Sequence, residues 1–282
     1  MKNIAIKKCK KINPHHKQIA DIYDLFDRRN ESRINRIDFN REMDEIRNST
    51  VSRSETKLLL NIGKLYYYSD SGNYRGILDE ESYMDTNVLR SEYLATSLRL
   101  RILERKATAL IKYENDLVQA TKILEEILQK GDDFAFSLIN ALSLMSEVHL
   151  MKDFDLSAGF IRKAIKLCEK ISQDNKRYLL QKRQLESTHD FIMLYHCRLN
   201  EELYLNSKPE LIHFLIRRGS EEDLARATSL LKELEKENGK LTPFQLYYKA
   251  LITGEKHYLI KSQREFHRAG DFFYSQIPSK LL

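Results

Sequence analysis

The sequence predicts an all-α fold, in which helical hairpins stack into a right-handed superhelix behind a short helical N-terminal region. Composition is the first reason, because the 282 residues include only nine Gly and four Pro, and turn-rich β architectures need more of both. Periodicity is the second reason, because apolar residues recur at helical spacing along most of the chain. The third reason is a pattern of residues that returns at a period of about 34.

The repeat is clearest between the segments 116–128 and 223–235. Asp, Leu, Ala, Thr, Leu and Glu stand at equivalent positions in both, and weaker copies begin at Asp155 and Tyr258. A period of about 34 in helical sequence is typical of tetratricopeptide repeats. One such hairpin cannot bury its apolar face alone, so neighbouring hairpins stack into an array with a concave surface. A bundle of generic amphipathic helices is the alternative.

Each hairpin is expected to pair a first helix, facing the concave surface, with a second helix behind it. Leu224, at the repeated Leu position, is expected to be buried. The first helices are predicted at 134–151, 176–205, 208–218 and 242–253. Small residues are expected where two helices pack closely, at Ala120, Ala158 or Gly159, Ala227 and Ser262.

The chain is expected to divide into four parts. Residues 1–16 form a basic N-terminal segment, and residues 17–68 form a short helical region with helices at about 17–28 and 36–47. The stretch 69–87 is rich in Ser, Asp and Gly and is predicted to be a linker or loop. The repeat array follows over 88–282 and ends in dimerisation or capping helices.

Basic charge is concentrated at the N-terminal end. Residues 1–20 contain six lysines and no acidic residue, and the whole chain has a formal net charge of +6. Such a segment attracts phosphate backbones through counterion release, and the alternative is a solvated terminus. The candidate nucleic-acid contacts are Lys7, Lys8, Lys10, Lys11 and Lys17.

No catalytic or metal-binding spacing is found, so we predict that the chain is not an enzyme and uses no metal or cofactor. Cys9, Cys168 and Cys197 are isolated and fit neither a disulfide framework nor a zinc site. No apolar run approaches the roughly 18 residues of a membrane span, and lysines interrupt the N-terminal segment too early for a secretory signal. The reducing cytoplasm is therefore the expected compartment.

The helix predicted at 176–205 carries a polar stripe that suits peptide binding. Arg183, Glu186, His189 and Asp190 fall near one helical face, and Glu147 projects from the preceding first helix. Acidic side chains in one groove suit a cationic peptide side chain, and the Arg183 fork suits a terminal carboxylate. The alternative is a solvated face with pairs inside one helix.

The C-terminal half resembles a known family. The segments 244–262, 266–273 and 277–282, together with 211–219 upstream, resemble the AimR-type arbitrium receptors of SPbeta-group Bacillus phages, which belong with Rap and PlcR to the tetratricopeptide peptide receptors. The resemblance covers about 140–282. It implies a homodimeric sensor that binds a short secreted phage peptide and controls lysis–lysogeny transcription.

The resemblance also implies roles for individual residues. The family's Asn-rich groove positions fall on Glu147, His189 and Asp190, none of which is Asn, and Tyr247 matches with its neighbour Tyr248. The implied dimer contacts are Phe272, Phe273, Ile277, Leu281 and Leu282.

Three interpretations follow from the sequence. The favoured one is an AimR-like peptide receptor that acts through another protein of the phage circuit rather than through DNA, since the N-terminal region is short for a helix-turn-helix domain. The alternatives are a peptide-independent adaptor or inhibitor with Rap-like logic, and a DNA-binding regulator that uses the basic segment.

Overall fold

The computed structural model describes residues 2–48, 53–131, 133–171 and 176–282. Throughout these residues the regular structure is helical and no strand occurs, which confirms the predicted fold class. The chain divides into two compact units, Met1–Ala109 (unit 1) and Leu110–Leu282 (unit 2).

Unit 1 is a small helical bundle with its own core. Pro14 and the Asn13 cap, whose side chain accepts a hydrogen bond from the His16 amide, start the second helix. Ile22, Leu25 and Leu65 are fully buried at the centre of the core. Its helices are α1 Lys2–Cys9, α2 Pro14–Asn30, α3 Arg36–Asn48, α4 Ser54–Ser71, α5 Tyr74–Glu81 and α6 Glu92–Ala109, with a 3-10 turn at Thr86–Val88.

The stretch 69–87, expected to be a linker, instead contains α5 and the 3-10 turn. Gly72 adopts a left-handed conformation (φ 72°) that ends α4, and the Asn73 side chain caps α5 by accepting from the Gly76 amide. Ile77 of α5 is fully buried in the core of unit 1. The Ser, Asp and Gly residues therefore mark a tight turn between helices, and the division between units falls after Ala109.

Unit 2 contains the helical hairpins. It opens with a π-helical turn, Leu110–Glu114 (the π turn), and α8 packs on α9, α11 on α12 and α13 on α14. The predicted first helices correspond to α8, α10, α11 and α13, but the helix predicted over 176–205 ends at Tyr195 and a loop follows it. Its helices are α7 Leu117–Lys130, α8 Ala135–His149, α9 Phe154–Glu169, α10 Lys176–Tyr195, α11 Lys208–Arg218, α12 Glu221–Asn238, α13 Pro243–Thr253, α14 Lys256–Arg268 and α15 Gln276–Ser279.

Small residues stand where the helices approach closely, as predicted. The Ser262 hydroxyl of α14 donates a 2.7 Å hydrogen bond to the Pro243 carbonyl of α13. Of the two candidates Ala158 and Gly159, Ala158 is the one at the helix contact, since a Cβ on Gly159 would meet no atom within 4 Å. Ala120, Ala158, Ala227 and Ser262 are all buried.

The repeated leucine is less buried than predicted. Leu224 is only partly buried, and Leu156, its equivalent in α9, is 45% exposed. Leu224 lies in the first turn of α12, beside the exposed Ala225, whereas Leu231 lies deeper along the helix and is buried. The expectation of a buried Leu224 is therefore wrong.

Candidate ligand groove of unit 2

The residues Asp271–Leu282 (the C-terminal segment) lie against several first helices of unit 2. The Tyr274 ring centroid is 6.1 Å from that of Phe191 on α10 and 5.0 Å from that of Phe244 on α13. Lys280 Nζ donates to the Tyr195 hydroxyl of α10 at 3.1 Å. The segment therefore spans more than one hairpin.

The same segment also contacts the start of unit 2. The Phe272 and Phe273 amides donate to the Lys112 carbonyl at 2.7 and 3.2 Å, and Gln276 Nε2 donates to Asn115 Oδ1 at 3.1 Å. The carbonyls of the last helical turn have no partner in their own helix. The C-terminal segment supplies one for Lys112, and so joins the beginning of unit 2 to its end.

A buried charge cluster centres on Lys112. Lys112 Nζ lies 2.6 Å from Glu147 Oε2, 3.8 Å from Asp271 Oδ2 and 3.6 Å from the Tyr274 ring centroid. Burial alone would lower the pKa of Lys112, but Glu147, Tyr274 and Asp271 outweigh it and raise that pKa above its ordinary value. Lys112 therefore stays charged, and Glu147, predicted to face a peptide, is engaged by it.

Glu186, His189 and Asp190 come together, as the sequence predicts, but around a loop of the chain itself. The Asp190 carboxylate is fully buried and accepts from the Tyr204 and Leu205 amides at 3.0 and 2.6 Å. Glu186 accepts from Asn206 Nδ2 at 2.9 Å, and His189 Nδ1 lies 3.3 Å from Asp190 Oδ1. This trio holds the connection between α10 and α11.

The two other groove candidates differ from each other in exposure. Arg183 is exposed on α10, and Tyr247 is buried on α13. Burial raises the pKa of Tyr247, which is partly offset by Arg217 beside it. The roles of all six groove candidates in peptide binding stay predictions.

Two buried polar residues on α11 were not singled out from the sequence. Glu210 Oε1 accepts a 3.4 Å hydrogen bond from the Ser187 hydroxyl, while its Oε2 has no hydrogen-bond partner among the described residues. Burial, followed by the nearby Asp190 charge, raises the pKa of Glu210 to about 8. His213 accepts from Arg217 Nε at 3.2 Å, and burial lowers its pKa. Glu210 and His213 are three residues apart and therefore lie on one helical face. This spacing alone does not indicate from the sequence that the two side chains are buried.

The family can be assigned from the whole chain. Residues 1–282 match the family described as AimR transcriptional regulator-like. The chain belongs to this family.

Relatives and solved structures agree with the assignment. An uncharacterized Bacillus anthracis protein, pXO2-35, is 26% identical over 237 residues, which cover 82% of this chain and 86% of that protein. The solved structure of phAimR-Ligand has a TM-score of 0.82 at 19% identity and covers 98% of this chain and 80% of its own. The structure of SeMet-phAimR has a TM-score of 0.67 at 20% identity and covers 98% and 70%. At these identities the structural likeness shows the AimR fold.

The residues implied as AimR-type dimer contacts fall into two sets. Phe273 and Ile277 are 1% and 2% exposed within the single chain. Phe272, Leu281 and Leu282 are exposed. Only the second set is accessible to another copy in this conformation.

Most of the candidate nucleic-acid lysines are exposed. Lys7, Lys8, Lys11 and Lys17 are exposed, whereas Lys10 lies 2.9 Å from Asp21 and is partly buried. Carboxylates engage several arginines of unit 1, in the pairs Arg28–Glu42, Arg29–Asp70 and Arg41–Asp38. The N-terminal residues of unit 1 therefore carry four exposed lysines, while these three arginines are held by carboxylates.

Within the described ranges, no group of three or more His, Cys, Asp or Glu residues is arranged to hold a metal ion. No helix in the same ranges has both the length and the apolar character required to cross a membrane. Cys9, Cys168 and Cys197 carry free thiols.

Proposed function

We propose that this AimR-like chain is a cytoplasmic receptor for a short communication peptide of a phage, and that peptide binding regulates the lysis–lysogeny decision. Family membership over all 282 residues carries the proposal. The fold supports it, because stacked helical hairpins present the kind of extended surface that binds peptides.

Titration calorimetry of the full chain with a panel of arbitrium-type hexapeptides tests the proposal. At least one peptide is expected to bind with measurable heat and to raise the melting temperature, because a ligand that binds only the folded state stabilises it. Scrambled peptides of the same composition serve as controls. If every peptide gives neither heat nor a thermal shift, the proposal fails.

The exposed Arg183 allows a sharper test of peptide orientation. If its guanidinium binds the peptide's terminal carboxylate, amidating that terminus weakens binding by about 1.5–3 kcal/mol. Arg183→Gln then removes the difference between the acid and the amide. Arg226→Gln, at an exposed position of α12, is the matched control and leaves the difference intact.

We further propose that the signal leaves through a protein partner of the phage circuit. The pairing of Arg28, Arg29 and Arg41 with carboxylates supports this, because it leaves fewer cations free for phosphates. A pull-down from phage-infected cells should recover a partner whose retention changes with peptide. A partner that is insensitive to peptide would favour a Rap-like adaptor instead.

A DNA-binding regulator is the second candidate, favoured by the exposed Lys7, Lys8, Lys11 and Lys17. Gel shifts would then show affinity that falls steeply with salt, because each phosphate contact releases counterions. Replacing these four lysines by Gln would abolish the shift. A shift that survives the replacement would place the DNA contact elsewhere.

A further inference from the structure

The C-terminal segment contacts α10 and α13 and lies beside the ion pair that Glu147 of α8 makes. The Tyr274 ring covers the Lys112 ammonium, whose Nζ is 3.6 Å from the ring centroid and 2.6 Å from Glu147 Oε2. Lys280 bonds to Tyr195 of α10, and the Tyr274 ring packs against Phe244 of α13. A segment that lies beside α8, α10 and α13 runs along the surface that these first helices share. That surface is where a tetratricopeptide array holds a guest chain.

The contacts of this segment differ in strength along its length. Phe273 and Ile277 are buried, and two backbone amides bond to the Lys112 carbonyl. By contrast, the Tyr274 ring is partly exposed and Lys280 is exposed. The segment therefore combines a few buried anchors with lightly held residues, as expected of an element that opens locally without global unfolding.

Glu147 is the point at which a guest and the segment compete. Its carboxylate already engages Lys112, and the Tyr274 ring covers the Lys112 ammonium. A guest side chain that approaches this ion pair from the side of the C-terminal segment therefore has to move the Tyr274 ring. Separating the charged, buried Lys112 from Glu147 costs more free energy than moving the Tyr274 ring aside. The first change leaves an unpaired charge in the protein interior, and the second does not.

We propose that the C-terminal segment is an internal occupant of the groove, which a guest peptide displaces in order to reach Glu147 and Tyr195. The identity of the guest rests on the proposed function, whereas occupancy by the segment does not. The segment also indicates the chemistry that the groove accepts. It presents an aromatic ring at Tyr274 and an ammonium group at Lys280, so a guest with an aromatic or long apolar side chain and a basic side chain fits the same positions.

Hydrogen exchange of the full chain without peptide tests the occupancy. If the segment opens locally, amides in 271–282 exchange at least about 10-fold faster than those in the buried cores of α8 and α9. If the segment exchanges only together with α8 and α9, it is a permanent part of the core, and the proposal is overturned.

Two substitutions test whether the named contacts hold the segment. Tyr274→Leu removes the ring that packs on Phe244 and on the Lys112 ammonium, and Lys280→Ala removes the bond to Tyr195. Each is expected to raise exchange of 271–282 by about 3–10-fold while α8 and α9 are unchanged, since one aromatic contact or one hydrogen bond contributes about 1 kcal/mol. Lys261→Ala, an exposed lysine of α14, is the control and changes nothing. If neither substitution accelerates exchange, these contacts do not hold the segment.

Adding peptide separates the two proposals. A hexapeptide that binds is expected to speed exchange of 271–282 and to bind Tyr274→Leu about 3–10-fold more tightly than the unsubstituted chain. If it binds while exchange of the segment is unchanged or slower, guest and segment are accommodated together, and competition is overturned. If no peptide binds although the segment exchanges fast, the peptide-receptor function fails, while the exchange data still support occupancy.

Discussion

At the scale of single residues, Asp190 shows how one buried carboxylate can fix a connection between helices. Its two oxygens accept the Tyr204 and Leu205 amides, and Leu205 itself has a left-handed backbone (φ 49°). Carboxylate bonds to backbone N–H groups are among the stronger hydrogen bonds in proteins. The loop before α11 therefore depends on this side chain.

Asp190→Asn is expected to lower the free energy of unfolding by about 1–3 kcal/mol, because the new amide group cannot accept the second backbone N–H. Urea denaturation measures the change. Asp133→Asn, at an exposed position, is the control and is expected to be neutral. Equal stability of Asp190→Asn and the unsubstituted chain would show that the loop does not need the charge.

Glu210 makes a pH-dependent contribution to stability. Its folded pKa of about 8 lies above the ordinary value of 4.5, so between these two pH values the folded state holds a proton that the unfolded chain has lost. Stability contributed by this group is therefore present below about pH 4.5 and is lost as pH rises to about 8.

Glu210→Gln imitates the protonated carboxyl and removes this dependence. The variant is expected to match the unsubstituted chain near pH 5 and to exceed it by roughly 1–3 kcal/mol near pH 8. The lowered pKa of His213 acts with the opposite sign below pH 6.5, and it cancels in the difference between the two proteins. A difference in unfolding free energy that stays constant with pH would contradict the assignment.

At this scale the sequence locates polar residues but does not reveal their partners. Helical spacing correctly groups Glu186, His189 and Asp190, yet the backbone amides that Asp190 holds belong to a loop without periodicity. Lys112 and Glu147 form an ion pair although they are far apart in the sequence. Lys112 lies in the π turn, which no sequence pattern predicts. Such contacts follow from tertiary packing rather than from local spacing.

At the scale of elements, the small residues of the repeat set how closely two helices approach. Ala227 of α12 is fully buried, whereas Ala225, two positions earlier, is exposed. Ala227→Leu is expected to cost about 1–3 kcal/mol in unfolding free energy, because the interface has no space for three more carbons. Ala225→Leu introduces the same side chain on the solvent side and is expected to be neutral. Thermal or urea denaturation of the two variants measures both effects.

Helical periodicity predicts most elements of unit 2 with little error, since an amphipathic face must be buried wherever it occurs. The predicted 208–218 and 242–253 correspond to α11 and α13. It misses α5, because Ser, Asp, Gly and Asn residues indicate both loops and helix caps. It also overestimates the burial of the repeated Leu, because a repeated residue marks an equivalent position in each hairpin without determining how far that position is buried.

At the scale of the whole molecule, the exposed residues at the C-terminal end are the accessible part of the implied dimer surface. Leu281 and Leu282 remain exposed although Phe273 and Ile277 are buried. If the chain forms the implied homodimer through them, Leu281→Asp with Leu282→Asp should shift the mass measured by light scattering from dimer to monomer. Ile260→Asp, another exposed apolar position, is a comparison on α14. A dimer that persists in the double variant would place the interface elsewhere.

The contact between the π turn and the C-terminal segment has a topological consequence. Because Asn115 and Gln276 are hydrogen bonded, the polypeptide enters and leaves unit 2 at neighbouring points. A short Gly–Ser bridge between these points would permit new termini at the exposed Gly239–Lys240 turn. The two ends of unit 2 thus lie close together. This arrangement suits circular permutation of unit 2 or its insertion as a domain into another protein.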